Sequence, residues 1–254
     1  MDKILALEKI RDNLKSNIPS IGSWIQIPSS SYAEIFGDSG YDWLAVDMEH
    51  GSVDNSQLPD IFRSIELGNT LPLVRVANPN MKDIKLALDS GAGGIIAPMV
   101  ESSDQLKNII NYASWPPNGI RGVGFSRSNL YGKNFDPNNL LYKKPLIIAQ
   151  IENINAVNQI EDILKVNGLD AIILGPYDLS ASMGINGDFK NDKYIKAINK
   201  VLNTCKKLNV PPGIHVINPD QNELIKRINE GYRFIAYSTD AIMFNKATLK
   251  PNLK

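Results

Sequence analysis

Apolar residues gather into eight short runs, each bounded by turn residues and followed by a polar–apolar stretch at helical spacing. The runs are Ser23–Ile27, Trp43–Met48, Pro72–Val76, Gly94–Val100, Leu146–Ile151, Ala171–Leu174, Gly213–Ile217 and Phe234–Tyr237. They are mostly continuous rather than alternating, as expected for strands covered on both faces. Helical spacing covers Tyr32–Phe36, Ser56–Leu67, Met81–Leu88, Ser103–Tyr112, Asn155–Lys165, Asp192–Leu208, Asp220–Asn229 and Ala241–Leu249. Several of these stretches stop at Gly or Asn, as in Leu88-Asp89-Ser90-Gly91 and Ile228-Asn229-Glu230-Gly231, a C-terminal cap pattern.

Eight strands alternating with eight helices, with no break in composition, predict an α/β protein: a single (β/α)8 TIM barrel over 1–254. A doubly wound open sheet is the structural alternative. The chain length of 254 residues suits one barrel. The start, MDKILALEKIRDNL, reads as an amphipathic helix rather than a signal peptide, because Glu8, Lys9, Arg11 and Asp12 interrupt any apolar core. Two connections are long. Ser114–Pro145 contains Pro116-Pro117, Arg121-Gly122-Val123-Gly124 and Tyr131-Gly132, and Tyr177–Pro212 contains Ser-Met-Gly-Ile-Asn-Gly-Asp. Loops of that length in a barrel usually serve a site or an interface.

Composition narrows the functional classes. Lys+Arg and Asp+Glu balance at 27 each, so no strong field draws nucleic acid or an acidic membrane. No run approaches the roughly 20 apolar residues of a bilayer span, and a cytoplasmic location is expected. Cys205 is the one cysteine, so the chain has no internal disulfide; its helical setting reads as a small buried hydrophobe.

A barrel places its active site where the strands end. The second run ends in Asp47-Met48-Glu49-His50-Gly51, and the third contains Arg75. The fifth ends in Gln150-Ile151-Glu152-Asn153, and the sixth leads into Gly175-Pro176-Tyr177-Asp178. The seventh carries His215, and the eighth ends in Ser238-Thr239-Asp240. Both histidines, a strand arginine and several carboxylates thus share one rim. Glu152 and Asp178, assigned to consecutive strands about 4.8 Å apart, repel unless one is protonated or a cation lies between them. Oxygen ligands of this kind suit Mg²⁺ or Mn²⁺ and leave positions open for substrate; bonding to lysine or backbone N–H groups is the alternative. Arg75 needs an anionic partner, either Glu49 or Asp47 across the rim, a ligand, or both. His50, three residues after Asp47, suits general base work when an acid holds its tautomer. His215 has no such acid beside it.

There is no Gly-x-Ser-x-Gly elbow and no P-loop lysine. A Schiff-base aldolase needs a lysine at the inner end of a strand, and none of the eight runs contains one. Lys82 and Lys85 fall in a helix and Lys143-Lys144 precede the fifth run, so a metal enolate is favoured over an imine.

These motifs resemble the HpcH/HpaI aldolase family, the class II pyruvate-dependent aldolases. The resemblance lies in Gly40-Tyr41-Asp42-Trp43, Val46-Asp47-Met48-Glu49-His50-Gly51, Leu73-Val74-Arg75-Val76 and Asp89-Ser90-Gly91-Ala92-Gly93-Gly94-Ile95-Ile96-Ala97-Pro98. It continues in Pro116-Pro117-Asn118-Gly119-Ile120-Arg121-Gly122-Val123-Gly124, Gln150-Ile151-Glu152 and Gly175-Pro176-Tyr177-Asp178-Leu179-Ser180-Ala181-Ser182-Met183-Gly184. The resemblance implies a divalent ion (Mg²⁺, Mn²⁺ or Co²⁺) on Glu152 and Asp178. It implies that Arg75 polarises a 2-oxo group, and that His50, oriented by Asp47, acts as base through water. Gln150 and the backbone after Gly175-Pro176 are implied to hold the pyruvyl group. The implied substrates are a 4-hydroxy-2-oxo acid, or pyruvate and an aldehyde. The implied assembly is a hexamer or trimer of dimers exchanging the helix 241–249. Tyr177 stands where better-known aldolases have a small residue, and the segment 124–132 differs from theirs. Tyr177 is therefore expected beside the substrate, with Arg127 and His215 reading its tail. The alternatives are a carboligase or decarboxylase using the same enolate, and a non-catalytic barrel that binds metal or 2-oxo acid.

Overall fold

A computed structural model describes residues 1–136 and 144–251. The elements run α1 Lys3–Lys15, β1 Ser20–Ile25, α2 Ser30–Gly37, β2 Trp43–Asp47, α3 Leu58–Leu67, β3 Leu71–Arg75, α4 Met81–Asp89, β4 Gly94–Ala97 and α5 Ser103–Ala113. A 3-10 segment, Arg127–Gly132, precedes β5 Leu146–Ile151, α6 Ile154–Asn158, α7 Ile160–Leu164, β6 Ala171–Leu174 and α8 Pro176–Ser182. The chain continues with α9 Asp192–Leu208, β7 Gly213–Val216, α10 Gln221–Asn229, β8 Phe234–Thr239 and α11 Asp240–Ala247. Each strand pairs in parallel with the next, and β8 pairs with β1, so the sheet is a closed barrel. The (β/α)8 expectation holds, and the open sheet is excluded.

The continuous apolar runs are explained by two separate cores. Outward side chains such as Leu44, Val46, Val74, Ile95 and Ile147 pack with the helices in one cluster. Inward ones, including Trp43, Ala45, Leu71, Leu73, Ile96, Ile148 and Phe234, form a second cluster inside the barrel. Leu7, Ile10 and Leu14 of α1 join that inner cluster, so the amphipathic N-terminal helix closes the barrel floor. A Cβ on Gly22 would lie 2.1 Å from the Trp43 indole, so only glycine admits that ring. Trp43 stacks on Phe234 with centroids 4.3 Å apart and meets Trp24 edge-on at 6.4 Å.

Strand periodicity then places the polar residues. Trp43-Ala45-Asp47, Leu71-Leu73-Arg75 and Leu146-Ile148-Gln150 are alternate positions on their strands, so each series runs along the barrel interior from an apolar base to a polar tip. All three series end at the same, C-terminal rim.

Several expectations need correction. The helix foreseen over Asn155–Lys165 is two helices meeting at Gln159. The connection after β6 opens at once into α8, with Pro176 in its first turn as a helix-start signal. Asp178 therefore stands in the first turn of α8 and not on a strand. The long connection before β5 covers the opposite end of the barrel in its described part. Arg121 pairs there with Asp89 at 2.7 Å and covers Trp115 at 4.5 Å. Residues 137–143, including Lys143, lie outside the described residues. No helix among the described residues is long and apolar enough to cross a membrane.

Candidate active site

The rim is organised around Arg75. The β2–β3 register sets Asp47 directly opposite Arg75. The guanidinium donates from Nε to Asp47 Oδ1 at 2.9 Å and from Nη2 to Oδ2 at 2.6 Å, a two-point ion pair. Its Nη1 lies 3.1 Å from Glu49 Oε2. Its two hydrogen bonds use two of the five N–H donors and three remain, since the Glu49 contact is an ion pair without hydrogen-bond geometry. Asp47 has no exposed surface. Burial by itself would raise its carboxyl, but the hydrogen bonds and charge of Arg75 outweigh this and hold it below the usual carboxylate range.

Asp47 does not orient the imidazole of His50. Its Oδ1 accepts the backbone N–H of Glu49 at 3.1 Å and of His50 at 3.2 Å, and its Oδ2 accepts Gln26 Nε2 at 2.9 Å. With Arg75 on both oxygens, no lone pair is left for the ring. Glu49 is the neighbouring acid instead, with Oε2 3.9 Å from His50 Nε2, and the His50 side chain is 62% exposed at the mouth.

Glu152, one residue past β5, is 2% exposed. Its Oε1 accepts the Met99 N–H at 2.7 Å, and its Oε2 contacts Gln150 Nε2. Gln150 Oε1 is buried without a partner. Burial, first, and the charge of Asp178 push the Glu152 carboxyl above the usual range, against the pull of its hydrogen bonds and of Arg75. Glu49 is likewise raised, by burial and in part by the charge of Glu152. Among the described residues neither Glu152 nor Asp178 forms an ion pair with Lys or Arg, so the lysine alternative for this pair falls away. Asp47, Glu49 and Glu152 thus interact with Arg75, and Asp178 joins the group through Glu152. A Cβ on Gly175 would fall 2.6 Å from Glu152 Oε2, which keeps the backbone leading to Asp178 close against that carboxylate.

This donor set fits a divalent cation: two electrostatically coupled carboxylates with no basic partner, an unpaired amide oxygen beside them, and a glycine cradle. No group of three or more His, Cys, Asp or Glu side chains able to hold a metal occurs among the described residues. A cation held by Glu152 and Asp178 would therefore keep positions open for substrate oxygens.

His215 lies in β7 inside this rim, edge-on to Trp24 at 6.0 Å, with Nε2 3.3 Å from the Ser238 carbonyl. Burial pushes its pKa down to about 4, so the ring is neutral at physiological pH. Tyr177 is 57% exposed on α8, next to Asp178, and its ring is braced edge-on by Phe189 at 5.1 Å. The structure does not bring Arg127 to the site. It donates to Glu66 Oε2 at 2.8 Å and the Ser90 carbonyl at 3.1 Å, at the C-terminal end of α4 on the opposite barrel face. Helix C-termini gather on that face because each helix runs back against its strand. Arg127→Ala should therefore leave kcat/KM and the aldehyde profile unchanged while lowering stability by about 1.5–3 kcal/mol in urea unfolding. A shifted aldehyde profile would contradict this placement.

Sequence reasoning missed Trp24, Gln26 and Met99. Gln26 and Trp24 belong to the first run, which carries no charged residue to mark its end as part of the rim. Met99 contributes only a backbone N–H, from a left-handed conformation with φ +52, and side-chain type gives no signal for that.

A closed parallel barrel with buried acids, an arginine and histidines at its strand C-termini defines the enzyme class of such barrels. Residues 20–247 match the HpcH/HpaI aldolase/citrate lyase family. A 2-dehydro-3,6-dideoxy-6-sulfogluconate aldolase of Pseudomonas putida is 34% identical over 237 residues, covering 92% of this chain and 92% of that protein. A 4-hydroxy-2-oxo-heptane-1,7-dioate aldolase of Salmonella paratyphi A is 32% identical, covering 92% and 89%. The crystal structure of an HpcH/HpaI aldolase/citrate lyase family protein from Burkholderia cenocepacia J2315 superposes with a TM-score of 0.87 at 30% identity, covering 94% of this chain and 96% of that one. The chain belongs to the HpcH/HpaI aldolase/citrate lyase family and is a carbon–carbon lyase. Class II aldolases of this family depend in general on a divalent metal.

Proposed function

We propose that this enzyme cleaves a 4-hydroxy-2-oxo acid to pyruvate and an aldehyde, and runs the reverse addition. The observation that carries the reading is the unbalanced rim: Glu152 and Asp178 form no ion pair with a basic residue among the described residues, while Arg75, held on Asp47, keeps three N–H groups without a hydrogen bond. Glu152 and Asp178 would hold Mg²⁺, Mn²⁺ or Co²⁺, which when bound supplies Lewis acidity toward a 2-oxo acid.

This chain's own residues do the rest. The free N–H groups of Arg75 donate to the 2-oxo oxygen and stabilise the negative charge that develops there. Asp47 and Glu49 hold that guanidinium along its edges before substrate arrives. Gln150 and the backbone at Gly175-Pro176 bind the pyruvyl carboxylate. His50, exposed at the mouth beside Glu49, takes the C4 hydroxyl proton through a water molecule. The C3–C4 electron pair passes into the pyruvyl group as the aldehyde leaves, and that carbon is later protonated to pyruvate. Tyr177 and His215 bound the substrate chamber. None of the eight strands carries a lysine, which supports the metal route over an imine.

A homo-oligomer with an exchanged terminal helix belongs to the same reading. Phe244 of α11 and Leu249 beyond it are 46% and 70% exposed, apolar surface open to a second copy of the chain. Sedimentation measurements that find only monomer would exclude this assembly.

The reaction is tested by pyruvate release from a panel of 4-hydroxy-2-oxo acids. EDTA should abolish activity, and added Mn²⁺ or Mg²⁺ should restore it. Persistent activity in EDTA, with inactivation by borohydride plus pyruvate, would overturn the metal route. Silence across the panel with the metal present would exclude this aldol cleavage.

A further inference from the structure

Strand β1 holds none of the residues discussed as ligand, base or oxyanion partner, yet one of its side chains and that of the residue just past it close on the Arg75–Asp47 pair. Trp24 lies on β1, and Gln26 follows two residues later, so both face the barrel interior. The Arg75 guanidinium carbon sits 4.6 Å above the centre of the Trp24 ring. That ring is 3% exposed and is braced from below by Trp43 at 6.4 Å and from the side by His215 at 6.0 Å. Gln26 Nε2 donates to Asp47 Oδ2 at 2.9 Å, the oxygen that also receives Arg75 Nη2. Gln26 is itself pinned across the barrel seam: its backbone N–H donates to Asp240 Oδ1 at 2.9 Å, and that of Ile27 donates to Oδ2 at 3.0 Å.

We propose that Trp24 and Gln26 are positioning residues, a two-point clamp that fixes the face of Arg75 and the rotation of its Asp47 partner. This rests on the reading of Arg75 as the cation that faces the developing oxyanion. The physical case is geometric. Asp47 and Glu49 hold the arginine along its edges, which leaves it free to tilt about the line joining them. The Trp24 face removes that tilt, and cation–π attraction strengthens where water is excluded. Gln26 removes the matching freedom of Asp47, whose carboxylate would otherwise turn with the guanidinium. Asp240 carries the constraint to β8, so the clamp spans the place where the β1–β8 register is broken between Gly22 and Trp24.

The test uses the metal-loaded enzyme and the variants Gln26→Leu, Trp24→Phe and Arg75→Lys, alone and combined. Two quantities are read: kcat and KM for pyruvate release, and the Nε–H NMR signal of Arg75, assigned by its loss in Arg75→Lys. Gln26→Leu and Trp24→Phe should each lower kcat on the order of tenfold with KM near wild type, because orientation rather than affinity is lost. In the Arg75→Lys background the same changes should have almost no further effect on kcat. Trp24→Phe should also move the Nε–H signal downfield through the weaker ring current, and Gln26→Leu should broaden it. Unchanged kcat with an unmoved signal would overturn the clamp, as would full additivity with Arg75→Lys. Should Trp24→Phe fail to fold, the Gln26 series decides by the same criteria. If Arg75→Lys keeps wild-type kcat, the reading of Arg75 falls, and the signal alone still reports whether β1 holds the arginine.

Discussion

Glu152→Gln is expected to remove activity while leaving the fold intact or slightly more stable. The carboxylate is 2% exposed, and burial pushes its protonation upward, so its charge costs folding free energy. The amide that replaces it still accepts the Met99 N–H. Rotation of the neighbouring Gln150 amide would present its unpaired Oε1 to the new NH₂ group, repairing the contact that the present Nε2 makes. Only the negative charge disappears, and that charge is what a divalent cation requires. Loss of about 4 kcal/mol of electrostatic stabilisation corresponds to roughly three orders of magnitude in kcat/KM. The check is pyruvate release across a metal titration, with urea unfolding in parallel. A variant that keeps a tenth of wild-type kcat/KM would remove Glu152 from the site, and one that loses its cooperative unfolding would show the residue to be structural.

Arg75 gives the second large effect, on activity and stability together. Arg75→Lys keeps the charge but cannot grip Asp47 at two points, and kcat should fall by about 10²–10³, the usual cost of one oxyanion donor. Arg75→Met leaves Asp47 buried with its charge uncompensated, at a cost of about 3–5 kcal/mol near neutral pH. The pH dependence has a definite sign. In the wild-type chain the Asp47 carboxyl is held down, so its contribution is fully present above the unfolded value of about 3.9 and is lost as pH falls through the folded value. In Arg75→Met the carboxyl is raised by burial, so the variant regains stability as acid protonates it. The gap between wild type and Arg75→Met in urea unfolding should narrow from pH 7 to pH 5. A gap that widens with acid would mean that Asp47 stays charged without Arg75.

These expectations explain which parts of the site were readable from the chain. The runs ending in Asp47, Arg75 and Gln150 could be placed on one rim because the period of two and the closure of eight strands admit little else. Arg75 was correctly given acidic partners, since an arginine among aliphatics has no other way to be buried. His50 was paired with the wrong acid. Sequence proximity put Asp47 near it, but the lone pairs of Asp47 are consumed by Arg75, Gln26 and two backbone N–H groups. Arg127 was expected at the substrate because the segment 124–132 departs from the family pattern, whereas the described part of that loop lies on the barrel's floor side.

The sequence by itself determined the barrel, the class of chemistry and the residue types at the rim. Those follow from hydrophobic period and from motifs that are local in the chain. Tertiary structure alone decided the distribution of hydrogen bonds at Asp47, the contribution of Met99 through its backbone, and the meeting of Trp24, Gln26 and Asp240 around Arg75. Each of these depends on which neighbour reaches a given oxygen or ring face first. That competition is settled by register and packing between residues far apart in the chain, where local pattern carries no information.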